Sequence, residues 1–111
     1  MGRVLIIDDD PEMREMLGQV LKGARHEVVS SMEGGIVNVV IADLASKGSL
    51  ESIIELRREF PEVAVLVLSK AADADATQTV ARRIRAARII QKPFQADELL
   101  AAVKQALKPK L

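Results

Sequence analysis

Residues 4–17 read VLIIDDDPEMREML, a short apolar run that ends in three aspartates and continues into a helical pattern. Continuous runs of β-branched and aliphatic residues are typical of parallel strands that are buried on both faces. Asp10 and Pro11 together provide a helix cap and a proline at the first helical position. An apolar stripe at helical spacing extends to Leu21, and Gly23 then predicts the end of the helix. This stretch therefore predicts a buried strand that leads directly into an amphipathic helix.

The rest of the chain repeats this alternation. Further apolar runs predict four more strands, over residues 27–30, 39–42, 63–68 and 88–91. Apolar stripes at helical spacing follow the last three of these strands and predict helices around Ile53–Phe60, Ala76–Ala87 and Leu99–Leu107. Strands that alternate with helices indicate a parallel α/β sheet with helices on both faces. Because no repeat or linker divides the chain, we expect a single domain over residues 1–111 with no output domain.

The composition argues against several classes of protein. The chain has no cysteine, which excludes disulfides and thiolate chemistry, and its single histidine cannot build a His-rich metal site. The formal net charge is +0, so nothing indicates direct binding of nucleic acid or of an acidic membrane. The apolar run 63–68 is far too short to span a bilayer. The first residues lack the long apolar stretch of a signal peptide, so we expect a cytoplasmic protein.

The connection between the second and third strands is unusually short. Only residues 31–36 separate the two apolar regions. A helical crossover between parallel strands needs a dozen or more residues, and these residues span roughly 20 Å when fully extended. The crossover is therefore an extended strap, or else Glu33-Gly34-Gly35 forms a hairpin turn. In either case the second helix of the alternating pattern is missing or much shortened.

Polar side chains gather where the predicted strands end. In open parallel sheets, ligands bind at the carboxyl ends of the strands. Three carboxylates, a hydroxyl and an ammonium would meet at this edge: Asp8, Asp9, Asp43, Ser69 and Lys92. Mg²⁺ takes one or two carboxylates together with phosphate oxygens, and a carboxylate beside it can attack phosphorus. The hydroxyl and the ammonium can then bind the new phosphoryl oxygens. Asp10 is interpreted as the helix cap rather than as a ligand.

Four segments in this order resemble the receiver domain of bacterial response regulators: VLIIDDDPEMREML, VVIADL, VAVLVLS and IIQKPF. Each segment alone is weak evidence, but together they cover nearly the whole chain. The resemblance implies a flavodoxin-like three-layer sandwich with a five-stranded parallel sheet of order 2-1-3-4-5. It also implies a signalling module rather than an enzyme in the turnover sense. Its partner would be a sensor histidine kinase or a phosphotransfer protein.

The resemblance also implies a role for each polar residue. Asp43 would accept the phosphoryl group in a reaction that depends on Mg²⁺. Asp9 would bind the metal directly, Asp8 would act mainly through metal-bound water, and Ala45 would contribute its backbone carbonyl. Ser69 and Lys92 would bind the phosphoryl oxygens. Pro93 follows at a position where family members often have a cis peptide bond.

The chain departs from the family pattern at four places. The second helix is missing, and the loop after Asp43 is shortened, with Lys47 where a proline is usual. Lys70 replaces a small residue, and Ile89 replaces the aromatic residue that moves when the family's serine or threonine moves. These changes are also compatible with a pseudo-receiver, which has the same fold and binds other proteins but is not phosphorylated. A Mg²⁺-dependent phosphohydrolase is disfavoured, because no second acid follows closely after Asp43.

The missing helix has a further consequence for the surface. Apolar strand surface that such a helix would cover stays exposed, and monomers seldom tolerate large patches of this kind. We therefore expect a second copy of the chain to cover it, which would make the protein a homodimer.

Overall fold

The computed structural model describes residues 2–31 and 35–108. Its centre is one sheet of five parallel strands in the order β2-β1-β3-β4-β5. The strands are β1 Arg3–Ile7, β2 Glu27–Val29, β3 Val39–Asp43, β4 Ala64–Lys70 and β5 Arg88–Lys92. The predicted fold class and strand order are confirmed.

Over residues 2–31 and 35–108, four helices surround the sheet: α1 Pro11–Gly23, α2 Ser49–Glu59, α3 Ala74–Arg83 and α4 Ala96–Leu107. A short 3₁₀ turn at Ala71–Asp73 leads from β4 into α3. Helices α1 and α4 cover one face of the sheet, and α2 and α3 cover the other. Within the described residues, no helix combines the length and apolar character needed to cross a bilayer.

Two aliphatic cores form because successive residues of each strand point to opposite faces. In β1, Val4 and Ile6 pack with Leu17 and Leu99 beneath α1 and α4. Leu5 points the other way and packs in the second core beneath α2 and α3. The central strands are buried on both faces, which explains why their sequences are continuous apolar runs instead of alternating patterns.

The connection from β2 to β3 is a crossover without regular secondary structure in its described part. The hairpin alternative is wrong, because β2 and β3 are both parallel to β1 and lie on opposite sides of it. Gly35 is described, whereas the rest of the predicted turn lies in residues 32–34, outside the described residues. Val37 is 2% exposed and joins the α2–α3 core, whereas Ile36 is 64% exposed. No helix is found between β2 and β3 in the described part of this connection.

The end of α1 differs from the prediction in one detail. Gly23 is the last helical residue and does not take the left-handed conformation. That conformation belongs to Arg25, whose φ is 68°. The backbone amides of Arg25 and His26 donate to the carbonyls of Lys22 and Leu21, which satisfies the last turn of the helix.

Candidate functional site

The predicted polar residues meet at the carboxyl edge of the sheet. Asp43 is the last residue of β3, and Asp8 comes directly after β1. The parallel register pairs Ile7 with Ala42, so Asp8 and Asp43 follow at equivalent positions of neighbouring strands. Lys92 is the last residue of β5, and its long side chain reaches both carboxylates.

Lys92 forms the electrostatic centre of this site. Its Nζ lies 2.8 Å from Asp43 Oδ2 and 3.3 Å from Asp8 Oδ2. Burial of the ammonium lowers the Lys92 pKa, but the hydrogen bond to Asp43 and the charges of Asp43 and Asp8 outweigh it. The net effect is a raised pKa, so Lys92 is charged at neutral pH.

Asp8 and Asp10 have different roles, although only Asp9 separates them. Asp8 is 6% exposed, and its Oδ1 accepts a hydrogen bond of 2.9 Å from the backbone amide of Asp10. The Asp10 side chain accepts a bond of 3.0 Å from the backbone amide of Glu12, which confirms the predicted helix cap. Asp8 is therefore a buried carboxylate that faces Lys92, and Asp10 caps α1.

The short loop after β3 binds both Asp43 and Asp9. The backbone amide of Ala45 donates to Asp43 Oδ1 at 2.9 Å, and that of Lys47 donates to Asp9 Oδ2 at 3.0 Å. Ser46 Oγ accepts a bond of 3.0 Å from the Asp9 backbone amide. Sequence reasoning missed these loop contacts, because a backbone donor leaves no signature in the sequence. A proline at Lys47 could not make this bond, since proline has no N–H.

Ser69 lies at the same edge, but its hydroxyl points elsewhere. Ser69 Oγ lies 3.0 Å from Thr77 Oγ1 in α3 and 3.1 Å from the carbonyl oxygen of Lys70. No hydrogen bond joins it to Asp43 or Lys92 in the described part of the chain. Lys92 thus contacts both Asp8 and Asp43 directly. Asp9 is bonded to the loop that follows β3, and the Ser69 hydroxyl is bonded to Thr77.

The oxygen donors at this edge fit Mg²⁺ without forming a complete cage. Among residues 2–31 and 35–108, no three acidic or histidine side chains lie together in a ready-made metal site. Mg²⁺ retains waters and needs only one or two carboxylates. Asp8 and Asp43 already share one cation, the Lys92 ammonium, so the site has the charge and the donor type that a dication requires.

Comparison with known proteins identifies the family. The model of the family described as the response regulator receiver domain matches residues 4–104. The chain belongs to this family. Receiver domains are phosphoryl-accepting signalling modules of two-component systems, and they are generally not enzymes. Their phosphorylation generally depends on Mg²⁺, and their general partners are histidine kinases or phosphotransfer proteins.

Individual relatives agree with this assignment. The receiver domain is 28% identical to the nitrogen assimilation regulatory protein NtrX of Azorhizobium caulinodans over 94% of this chain, and spans only 26% of that relative. It is also 28% identical to the chemotaxis protein CheY of Listeria monocytogenes, over 97% of this chain and 100% of CheY. The crystal structure of the receiver domain of NtrX from Brucella abortus superposes with a TM-score of 0.83 at 25% identity. That match covers 94% of this chain and 97% of the other.

The departures from the receiver pattern are visible on the surface around the site. Lys70 is exposed at the end of β4, next to Ser69. Ile89 lies on the edge strand β5 and is 37% exposed.

The Lys92–Pro93 peptide bond is cis, as the resemblance implies.

Proposed function

We propose that Asp43 is the residue that accepts the phosphoryl group in this receiver domain. The observation that carries this proposal is the Asp43 carboxylate, held at the sheet edge by the Lys92 ammonium at 2.8 Å and the Ala45 amide at 2.9 Å. Asp8 is the other carboxylate on Lys92, and it is held in place by burial and by the Asp10 amide. Asp43 is thus oriented by fixed donors on its own loop and on β5.

The proposed reaction is an in-line transfer from a phosphohistidine. A carboxylate oxygen of Asp43 attacks phosphorus, and an O–P bond forms while the N–P bond of the donor breaks. The electron pair of that bond leaves with the imidazole nitrogen. Negative charge on the transferring phosphoryl oxygens is then stabilised by Lys92, which exchanges its bond to Asp43 for one to the phosphoryl group.

Mg²⁺ is the cofactor that the donor set supports. Asp9, Asp43 and the backbone carbonyl of Ala45 would hold the ion, and Asp8 would act through a metal-bound water. When bound, the ion neutralises charge between the carboxylates and the phosphoryl oxygens. Asp9 can take part while its Oδ2 stays on the Lys47 amide, because a carboxylate has two oxygens and about four acceptor sites.

Mass spectrometry after incubation with acetyl phosphate tests this assignment. We expect a mass increase of one phosphoryl group that requires Mg²⁺ and is lost in Asp43→Asn. Asp97→Asn is the matched control, since Asp97 is exposed in the first turn of α4. Modification of Asp43→Asn at the normal rate would contradict the assignment.

A pseudo-receiver is the second candidate function. The Ser69 hydroxyl bonded to Thr77, the exposed Lys70 and the aliphatic Ile89 favour it. Such a protein would remain unmodified with acetyl phosphate and with phosphorylated kinase while it still bound a kinase or phosphotransfer protein. Continuous release of phosphate from small substrates would instead favour the phosphohydrolase alternative.

We further propose that a second copy of the chain binds at the connection between β2 and β3, where the crossover helix is missing. The neighbouring strand residues Leu5 and Val40 are buried, so the exposed apolar surface that the sequence predicts on these strands is not found, and Ile36 of the connection is exposed instead. Ile36 is 64% exposed beside the buried Val37, and burial of apolar surface contributes roughly 25 cal/mol per Å². Sedimentation at high concentration should show a dimer that Ile36→Ser weakens. Ile54→Ser, at a site 46% exposed on α2, is the control. A monomer at every concentration would contradict this proposal.

A further inference from the structure

Two buried hydroxyl groups connect the carboxyl edge of the sheet, where Asp43 lies, to α3. Ser69, in β4, is 4% exposed, and Thr77, in the first turns of α3, is 8% exposed. Their oxygens lie 3.0 Å apart. Among the described residues, Ser69 is the only hydrogen-bond partner of the Thr77 hydroxyl. This pair is therefore a direct polar contact between the end of β4 and α3.

The direction of the hydrogen bond between Ser69 and Thr77 depends on both hydroxyls, because each has only one proton to donate. Ser69 Oγ also lies 3.1 Å from the Lys70 carbonyl oxygen. If Ser69 donates to that carbonyl, Thr77 donates to Ser69 Oγ. If Ser69 donates to Thr77 instead, Thr77 is the acceptor. In both arrangements, removing Ser69 from this position leaves the buried Thr77 hydroxyl without its partner, which is unfavourable.

We propose that Thr77 is a positioning residue that holds the Ser69 hydroxyl away from Asp43 in the unmodified protein. A phosphoryl group on Asp43 then competes with Thr77 for the same hydroxyl. This inference rests on the proposed role of Asp43 as phosphoacceptor. It has two consequences: Thr77 weakens binding at Asp43, and occupancy of Asp43 breaks the polar contact between β4 and α3.

The expected size follows from the ordinary strength of a hydrogen bond between neutral groups. Such a bond corresponds to a change of about three- to tenfold in an equilibrium constant. Thr77→Val removes the hydroxyl and keeps the shape of the side chain. Without Thr77 as competitor, Ser69 is free to turn toward Asp43, so the affinity for a phosphoryl analogue should rise by this factor.

The test uses beryllofluoride with Mg²⁺ as the phosphoryl analogue and amide NMR spectra as the readout, because the chain has no Trp or Tyr for fluorescence. We expect Thr77→Val to bind beryllofluoride about three- to tenfold more tightly than the unchanged protein. The shifts of α3 amides on binding should also become smaller, since the contact that binding breaks is already absent. Thr77→Ser keeps the hydroxyl and should behave like the unchanged protein.

Thr79→Val is the matched control on the same helix. Thr79 is exposed, and its hydroxyl bonds to the Asp75 carbonyl oxygen at 3.2 Å and not to Ser69. It should leave the beryllofluoride affinity unchanged. In a Ser69→Ala background, Thr77→Val should also have no effect, because the hydroxyl that Thr77 holds is gone. A merely structural role for Thr77 would not depend on Ser69 in this way.

The outcomes separate this inference from the proposed function. If the unchanged protein does not bind beryllofluoride, the role of Asp43 fails and this inference fails with it. If the unchanged protein binds but Thr77→Val binds equally well, or more weakly, only the role of Thr77 is overturned. Thr77→Ala, with the same expected direction, decides the question should Thr77→Val not fold.

Discussion

The ammonium nitrogen of Lys92 lies 2.8 Å from Oδ2 of Asp43, across the intervening strand β4. Both side chains are largely buried, with 13% and 14% of their surfaces exposed. The buried Asp8 carboxylate lies on the same ammonium at 3.3 Å. Lys92 therefore neutralises two largely buried carboxylates that both lie within 3.3 Å of its ammonium nitrogen.

Replacing Lys92 with Met should destabilise the metal-free protein. The change leaves two carboxylates without their cation, and removal of one partner from a buried pair typically costs several kcal/mol. Because this pair is not fully buried, we expect a loss of about 2–4 kcal/mol in the free energy of unfolding. Urea denaturation in EDTA measures this loss, and Lys104→Met is the control because Lys104 is exposed. Saturating Mg²⁺ should reduce the difference in the free energy of unfolding between the unchanged protein and Lys92→Met. Equal stability of these two proteins in EDTA would contradict the interpretation.

The same bridge predicts a specific dependence on alkaline pH. The Lys92 pKa is raised above its ordinary value of 10.5, chiefly because the hydrogen bond to Asp43 and its charge outweigh the effect of burial. A raised pKa in the folded state stabilises the protein below the unfolded value, and this stabilisation is lost as the pH rises through the folded value. The stability difference between the unchanged protein and Lys92→Met should therefore be constant from neutral pH to about pH 9 and should fall above about pH 10.5. A decline in this stability difference that begins near neutral pH would contradict the prediction.

The sequence predicted the elements that have clear boundaries. β1 begins one residue earlier than the apolar run and ends as predicted, because the carboxylate of Asp8 follows directly. The αL position after α1 was not predictable, since nothing in the sequence distinguishes Arg25 from its neighbours as a residue with positive φ. The order of the strands came from the family resemblance, because the apolar runs themselves do not specify which strands are neighbours.

The candidate site shows the same division between local and tertiary information. Asp8, Asp43 and Lys92 could be placed at one edge because each follows or ends an apolar run. Thr77 carried no signal, since its contact with Ser69 depends on how α3 packs after the turn at Ala71–Asp73. The orientation of a hydroxyl depends on such packing, so a spacing pattern cannot predict it.

His26 should make the protein less stable at mildly acidic pH. Its Nδ1 accepts a hydrogen bond of 3.3 Å from the Gly2 backbone amide, and burial lowers its pKa below the ordinary value of 6.5. A lowered pKa means that His26 binds a proton more readily in the unfolded chain than in the folded protein. The contribution of neutral His26 to the free energy of unfolding is therefore fully present above about pH 6.5 and is lost as the pH falls through the folded pKa. Urea midpoints should decrease from pH 7.5 to pH 5.5, and His26→Gln should reduce this decrease. Identical slopes in both proteins would rule out His26 as the cause.

Replacing Arg25 with Gly should stabilise the protein, although it removes a whole side chain. Arg25 has a φ of 68°, a left-handed conformation that costs a residue with a Cβ roughly 1 kcal/mol or more. Glycine avoids this cost but loses more backbone entropy on folding, so we expect a net gain of about 0.5–1 kcal/mol in the free energy of unfolding. Arg14→Gly is the matched control, because Arg14 is exposed inside α1, where glycine should lose about 1 kcal/mol. Urea denaturation of both variants at neutral pH measures the two effects, which should have opposite signs. A loss of stability in Arg25→Gly would mean that its side chain contributes more than the strained backbone costs.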